Sequence, residues 1–329
     1  VQQSFRRRSA MAMTLGSEPR LAQLLRGTPY PVRQALLGTA YLLVPRRLPN
    51  LVPLAFLTLR GLPTLRRPSL PDLARILDRP DGLCGFAGPI GVAELLEGYR
   101  RGAFVMSHIG PLKWWAPRHR MVLFFDQARI EKGTRRLLRN GKYRVTMDAA
   151  FDAVVSACAA PRDSNPLTWI TPRIKSLFRR AHQEGHAHSV EVWDGERLVA
   201  GAYGLAVGKV FFTESQFHAV RDGSKLAFAV LNRHLQAWGF ALNDGKHVTR
   251  YLADCGMQPI TRTEFSSATE TFGFSPGRVG RWQVEPGLLD GGWEPGESGG
   301  LTLQDVLPGG SQCRFSVTDL LAQERSNTW

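Results

Sequence analysis

The 329-residue chain has few cysteines, Cys84, Cys158, Cys255 and Cys313, and no Cys-x-x-Cys among them. This spacing argues against a disulfide framework and against a cysteine-built zinc site. It fits a reducing compartment, so the expected location is the cytoplasm. Long hydrophobic runs are also missing. Pro45, Pro49, Pro53 and Arg60 interrupt the apolar stretches near the N-terminus, and none reaches the roughly 18–20 residues that a membrane span needs. No secretory signal pattern and no internal repeat is present. Ser215 lies in Thr-Glu-Ser-Gln-Phe rather than Gly-x-Ser-x-Gly, which argues against a hydrolase nucleophile. His182, His186 and His188 have ligand-like spacing, but Gly185 breaks the helix between them and no companion carboxylate accompanies them. No metal is expected there.

Acidic residues are scarce in the first 70 positions, which hold eleven Arg, no Lys and one acid, Glu18. The whole chain carries a formal charge of +14, whereas the residues after position 70 hold 31 basic and 27 acidic side chains. Most of the excess charge is therefore in one segment, where Arg6-Arg7-Arg8, Arg46-Arg47 and Arg66-Arg67 alternate with Leu- and Pro-rich stretches. Its composition resembles a transit-like or membrane-surface peptide. The plainer reading is an extension without a fixed fold.

Hydrophobic residues make up 43% of the chain, enough for a real core. Residues 71–82 read as a boundary, where acids first become frequent. Val92–Arg101 reads as a helix ending at Gly102, and Leu112–Phe125 as a strand. Residues 128–144 are basic, with Lys132, Arg135, Arg136, Arg139 and Lys142 against Glu131. Taken alone, that pattern is equally a solvated helix face. Met147–Ala159 and Pro172–Glu184 read as helices.

Residues 186–217 carry the strongest pattern. Two apolar runs flank Asp194-Gly195, a pair that tolerates positive φ, which predicts a β-hairpin. A third run, Val207–Phe212, leads into Glu214-Ser215-Gln216-Phe217 and delivers a carboxylate beside aromatic rings. Ser224–Trp238 then reads as a helix with Asp222 as its N-cap and Phe228, Leu231, Leu235 and Trp238 on one face. A strand over 240–243 and a helix over 248–255 follow. From Pro276 onward, Gly, Pro and Ser predominate without periodicity, which predicts a loose tail. The order of elements predicts an α+β fold with a central mixed sheet. The expected organisation is an extension over 1–79, a small domain over 80–127, a larger domain over 128–275 and a tail over 276–329.

Several ordered motifs resemble the leucyl/phenylalanyl-tRNA–protein transferases over about residues 80–266. They are Asp81-Gly82-Leu83, Tyr99-Arg100-Arg101-Gly102, Trp114-Trp115-Ala116-Pro117, Tyr143-Arg144-Val145-Thr146, Thr168-Trp169-Ile170-Thr171, His186–Trp193, Phe211–Phe217, Ser224-Lys225 and Asp244. The resemblance implies a small N-terminal domain and an acetyltransferase-like (GNAT) catalytic domain. It also implies transfer of Leu or Phe from aminoacyl-tRNA to the α-amine of a protein that begins with Arg or Lys, which marks that protein for degradation. Neither coenzyme A nor a metal is implied, and a monomer is expected. Glu214 and Asp244 are then the residues that hold the acceptor amine and relay its proton. Trp169, Phe211, Thr213, Gln216, Phe228, Asn243 and Lys246 would line the substrate site. Lys132, Arg135, Arg136, Arg139 and Lys142 would cradle an acceptor stem electrostatically.

The chain departs from that pattern at informative positions. Met106 stands where the family stacks a Trp on the terminal adenine, a contact worth roughly 1–3 kcal/mol per base. Lys246 replaces a Gln, Gln216 a Met, Thr213 a Gly, and Asn243 an apolar residue. A buried amide without a partner costs on the order of 1–3 kcal/mol, so these polar replacements predict a donor side chain more polar than Leu. Lys246 would act beside Asp244, either as its ion-pair partner or as a repellent of a cationic amine.

Two other readings use the same residues. One is an acyltransferase of this fold that takes acyl coenzyme A, although Arg221-Asp222-Gly223-Ser224 is a poor phosphate cradle. The other is a non-catalytic binder of tRNA or protein N-termini.

Overall fold

In the computed structural model, residues 28–61, 65–108, 110–161, 167–289, 291–308 and 315–327 are described. Arg6-Arg7-Arg8 and Cys313 lie outside them. Two helices, α1 (Tyr30–Leu42) and α2 (Leu51–Gly61), precede the sheets. A small antiparallel sheet combines β1 (Leu83–Phe86), β2 (Phe104–Met106) and β3 (Lys113–Trp115) in the order β1-β3-β2, with α3 (Val92–Arg100) between β1 and β2. Trp114 is fully buried and lies against α3 where Gly98 has no side chain; a β-carbon on Gly98 would come within 2.2 Å of its ring. The expected strand over 112–125 is broken at Ala116-Pro117, and its second half, β4 (His119–Leu123), joins the large sheet instead.

That sheet has seven strands. After β4 come α4 (Lys132–Asn140), β5 (Arg144–Met147), α5 (Phe151–Cys158), α6 (Pro172–Gln183), β6 (Ala187–Asp194), β7 (Arg197–Val207) and β8 (Val210–His218). Then follow α7 (Gly223–Ala237), β9 (Leu242–Asp244), α8 (Arg250–Asp254), β10 (Gln258–Thr261) and α9 (Arg262–Phe272). The spatial order is β10-β4-β9-β8-β7-β6-β5, and β8–β9 is the parallel pair, so the sheet is mixed as expected. The predicted hairpin is β6–β7. Its two turn residues are Gly195-Glu196, with Gly195 at φ 59°, the left-handed conformation that favours glycine.

Both faces of the large sheet are covered. Tyr203, Leu205 and Phe212 pack with Val154 of α5, Phe178 of α6 and the small sheet on one side. Ala200, Ala202 and Phe211 pack with Phe228, Leu231 and Leu235 of α7 on the other. Each of those three α7 side chains contributes roughly 1.5–3 kcal/mol by leaving water. Asp222 does not cap α7: it adopts φ 60°, and its side chain makes no cap hydrogen bond. Asp148, at φ 52°, separates β5 from α5, which delays the helix expected from Met147 until Phe151.

Among the described residues, the C-terminal segment is docked on the rest of the protein rather than loose. Trp282 is 1% exposed and stacks on His188 at 3.6 Å between ring centroids, with an interplanar angle of 3°. Its backbone N–H donates to Asp148 Oδ2 at 2.7 Å. Trp293 is also buried and donates to Gln236 Oε1 at 2.8 Å. Single rings anchor the first part of the segment, and two helices, Leu303–Val306 and Val317–Asn327, follow it, the second burying Leu320.

Candidate active site

Glu214 sits at an irregularity in β8. Tyr203 of β7 faces Ser215, but Gly204 faces Thr213, so Glu214 is a surplus residue opposite one step of its partner. Such a bulge re-aims a side chain. Here the carboxylate turns toward α3, where Tyr99 OH donates to Glu214 Oε1 at 2.7 Å. Lys246, in the loop after β9, reaches the same oxygen at 2.7 Å and also donates to Thr213 O at 2.8 Å. Glu214 Oε2 is buried and has no hydrogen-bond partner.

Asp244, at the end of β9, is held by different groups. Arg120 of β4 donates from Nε to Asp244 Oδ1 at 3.1 Å and from Nη2 to Oδ2. The Lys246 backbone N–H donates to Oδ1 at 2.9 Å, and Arg120 Nη1 donates to Gly102 O at 2.6 Å. The two acids thus meet in one network whose side chains are essentially inaccessible: Glu214 and Asp244 are 0% exposed, Lys246 6% and Arg120 1%. Lys246 pairs with Glu214, while the ion-pair partner of Asp244 is Arg120, which corrects the expected Lys246–Asp244 pair.

Burial dominates the electrostatics. It pushes the Glu214 carboxyl above its ordinary range, against the pull of Lys246 and Tyr99, while Asp244 pushes in the same direction as burial. It lowers the Lys246 ammonium, against Glu214 and Asp244. It also raises Tyr99 well above the usual phenol value, with Glu214 adding to the effect. His247 is lowered to about 4, by burial first and then by Arg120 and Lys246.

On the α7 side of the sheet the polar replacements satisfy one another. Thr213 Oγ1 donates to Asn243 Oδ1 at 2.8 Å, Asn243 Nδ2 to Asn232 Oδ1 at 2.8 Å, and Asn232 Nδ2 to Phe228 O at 2.7 Å. Tyr251 OH donates to Gln216 Oε1 at 3.1 Å. Partnered amides carry no penalty that a polar donor would relieve, so the ground for expecting one is gone. Phe211 is 1% exposed and packs against Trp282, and Phe228 is 4% exposed.

Trp169 is half-buried ahead of α6 and packs against the cluster that contains Tyr99 and Phe212. The turns that follow Met106 and Trp169 face each other across a cavity of about 600 Å³, lined by Ser107, His108, Thr171 and Arg173, with Gln34 and Ala35 of α1 on its rim. On α4 and just beyond it, Lys132, Arg136, Arg139 and Lys142 are exposed. Arg135 is not free: it donates to Glu294 Oε1 at 2.8 Å and Oε2 at 3.0 Å, and to Trp293 O at 2.9 Å. The three histidines have separate roles. His182 stacks on Phe151, His188 binds Asp148 at 2.8 Å, and His186 lines a second cavity beside Arg100.

Tyr99 and Arg120 went unassigned from sequence. Arg120 had a signal, since it is the one charged residue in Arg120-Met121-Val122-Leu123-Phe124-Phe125, a run otherwise apolar throughout. A lone charge in a buried strand must have a partner. Tyr99 belongs to the run Tyr99-Arg100-Arg101-Gly102, which carries no chemical cue for it.

Comparison with known proteins agrees with this geometry. Residues 122–270 match the family model described as leucyl/phenylalanyl-tRNA protein transferase. A leucyl/phenylalanyl-tRNA–protein transferase of Pseudomonas fluorescens SBW25 is 44% identical over 205 residues, 61% of this chain and 91% of the relative. Those of Azotobacter vinelandii and Cellvibrio japonicus are each 42% identical, over 60% and 63% of this chain and 88% of either relative.

Proposed function

Because the chain belongs to the leucyl/phenylalanyl-tRNA–protein transferase family, we propose that it moves leucine or phenylalanine from charged tRNA to the α-amine of a protein at the Glu214–Asp244 network. The large mixed sheet is the acetyltransferase-like catalytic part, and the small sheet ahead of it is the accessory domain. Met106 and Trp169 border the entrance for the tRNA 3′ end, beside the 600 Å³ cavity. Lys132, Arg136, Arg139 and Lys142 meet the acceptor stem.

The donor is already an activated ester, and an ordinary α-amine has a pKa near 7.7–8.0, so positioning supplies most of the acceleration. The amine nitrogen bonds to the ester carbonyl carbon, the bond from that carbon to the ribose oxygen breaks, and the amine proton ends on the departing hydroxyl. Glu214 carries that proton. Burial, which favours its protonated form, brings its affinity closer to the working pH. Asp244, clamped by Arg120, fixes the Lys246 backbone and so the position of the ammonium beside Glu214.

The observation that carries this reading is Glu214 Oε2, a buried carboxylate oxygen with no partner inside an otherwise satisfied network. The test is transfer from leucyl-tRNA to a peptide, read by mass shift. Proton carriers of this kind contribute about 10²–10⁴-fold, so Glu214→Gln should lose activity by at least 10²-fold, and Asp244→Asn should follow. Wild-type rates in Glu214→Gln would remove Glu214 from the chemistry. A ranking of charged tRNAs that favours polar amino acids over Leu and Phe would overturn the donor assignment.

A further inference from the structure

The two acids are fully matched by cations from the same chain. Glu214 is paired with Lys246, and Asp244 with Arg120; all four side chains are buried. The other titratable groups around them, His247, Tyr99 and Tyr203, are held in their neutral forms. The network therefore has no net negative charge to offer a substrate. The motif resemblance implied that these acids receive a basic N-terminal residue, yet the position for a cation on Glu214 is already taken.

Lys246 takes that position at a conformational cost. It has φ 66°, the left-handed region where Gly or Asn would be less strained. Its backbone is pinned by Asp244, and its ammonium is aimed back at Glu214 Oε1 and Thr213 O. It lies over the rings of Tyr99 and Phe104, at 5.9 and 5.4 Å from their centroids. The Gln that the resemblance expects at this position would leave Glu214 without a cation.

We propose that Lys246 is a specificity-determining residue that substitutes for a basic acceptor side chain, so that this transferase takes proteins whose first residue is uncharged. This rests on the transferase reading above. A second cation brought beside Lys246 would lack a counter-charge in a site closed to water, whereas a neutral side chain of similar length meets no such penalty.

The test uses the full chain, leucyl-tRNA and two peptides that differ only in an N-terminal Arg or Gln. For wild type, kcat/KM for the Arg peptide should not exceed that for the Gln peptide. In Lys246→Gln the Arg-to-Gln ratio should rise at least tenfold, and Lys246→Met should shift it in the same direction. A wild-type preference for Arg of tenfold or more overturns the proposal, as does a ratio that stays within twofold in both variants. Calorimetric binding of argininamide and glutaminamide to wild type and to Lys246→Gln reads the same preference without transfer. If no protein transfers to either peptide, the transferase reading fails, and the amide ratio still decides whether Lys246 selects against a cation.

Discussion

Replacing Trp282 with Ala should destabilise the protein by about 3–5 kcal/mol. The indole is 1% exposed, stacked on His188, and within 6 Å of the ring centroids of Phe211, Trp238 and Phe240. A buried aromatic of this kind removes about 150–250 Å² from water, which at about 25 cal/mol per Å² amounts to roughly 4–6 kcal/mol. The lower range is the better guide, because the backbone N–H of residue 282 keeps its bond to Asp148 after the substitution and the segment stays docked there. Urea unfolding followed by far-ultraviolet circular dichroism measures the effect. At a slope near 3 kcal/mol per M, the midpoint should fall by about 1–1.7 M, and Trp282→Phe should recover much of it. A fall below about 0.3 M would mean that the C-terminal segment is not part of the cooperative unit, and the docking argument would be wrong.

Two further outcomes are expected. The His247 side chain is neutral down to about pH 4 in the folded chain and titrates near 6.5 when unfolded. Between those values the unfolded state binds more protons, so stability should drop as pH falls from 6.5 to 4, by on the order of 3 kcal/mol, and level off below. His247→Gln should flatten that part of the curve, and an unchanged slope in denaturation midpoints would refute the assignment. Glu294→Ala removes the half-exposed carboxylate partner of Arg135 and leaves its bond to Trp293 O, so stability should change by less than about 1 kcal/mol. Binding to tRNA should tighten, and its salt dependence should steepen by almost one unit of log–log slope. Identical salt titrations would place Arg135 outside the contact with tRNA.

The legible parts of this structure were local or repetitive. The β6–β7 hairpin is legible in two apolar runs around Asp194-Gly195, and α7 in its apolar stripe. Glu214 stood out because a carboxylate closes an apolar strand. Pairing was a different matter. Thr213 and Asn243 are 30 residues apart, and Glu214 and Tyr99 are 115 apart. Nothing in either stretch says that a polar residue has found its partner elsewhere, so Thr213 and Asn243 read as unpartnered polar groups and point to a donor more polar than Leu. From sequence, Lys246 reads as a partner of its neighbour Asp244 or a repellent of the amine, since reach along the chain is visible and a 32-residue return to Glu214 is not. The C-terminal segment was misjudged for a related reason. Trp282 and Trp293 dock as isolated rings, which leave no period to detect, and the helix Val317–Asn327 is an element that the Gly- and Pro-rich composition hides.

The surplus residue in β8 has a consequence for how this strand tolerates change. Phe212 and Phe217 contact the same cluster although an odd number of positions separates them, which a straight strand forbids. The dislocation is therefore pinned by an aromatic anchor on each side and cannot slide. Deleting one residue between the anchors would mend the ladder, yet it would cost the strand the very side chain that the irregularity presents. Lengthening or shortening the turns at either end would leave that side chain where it is.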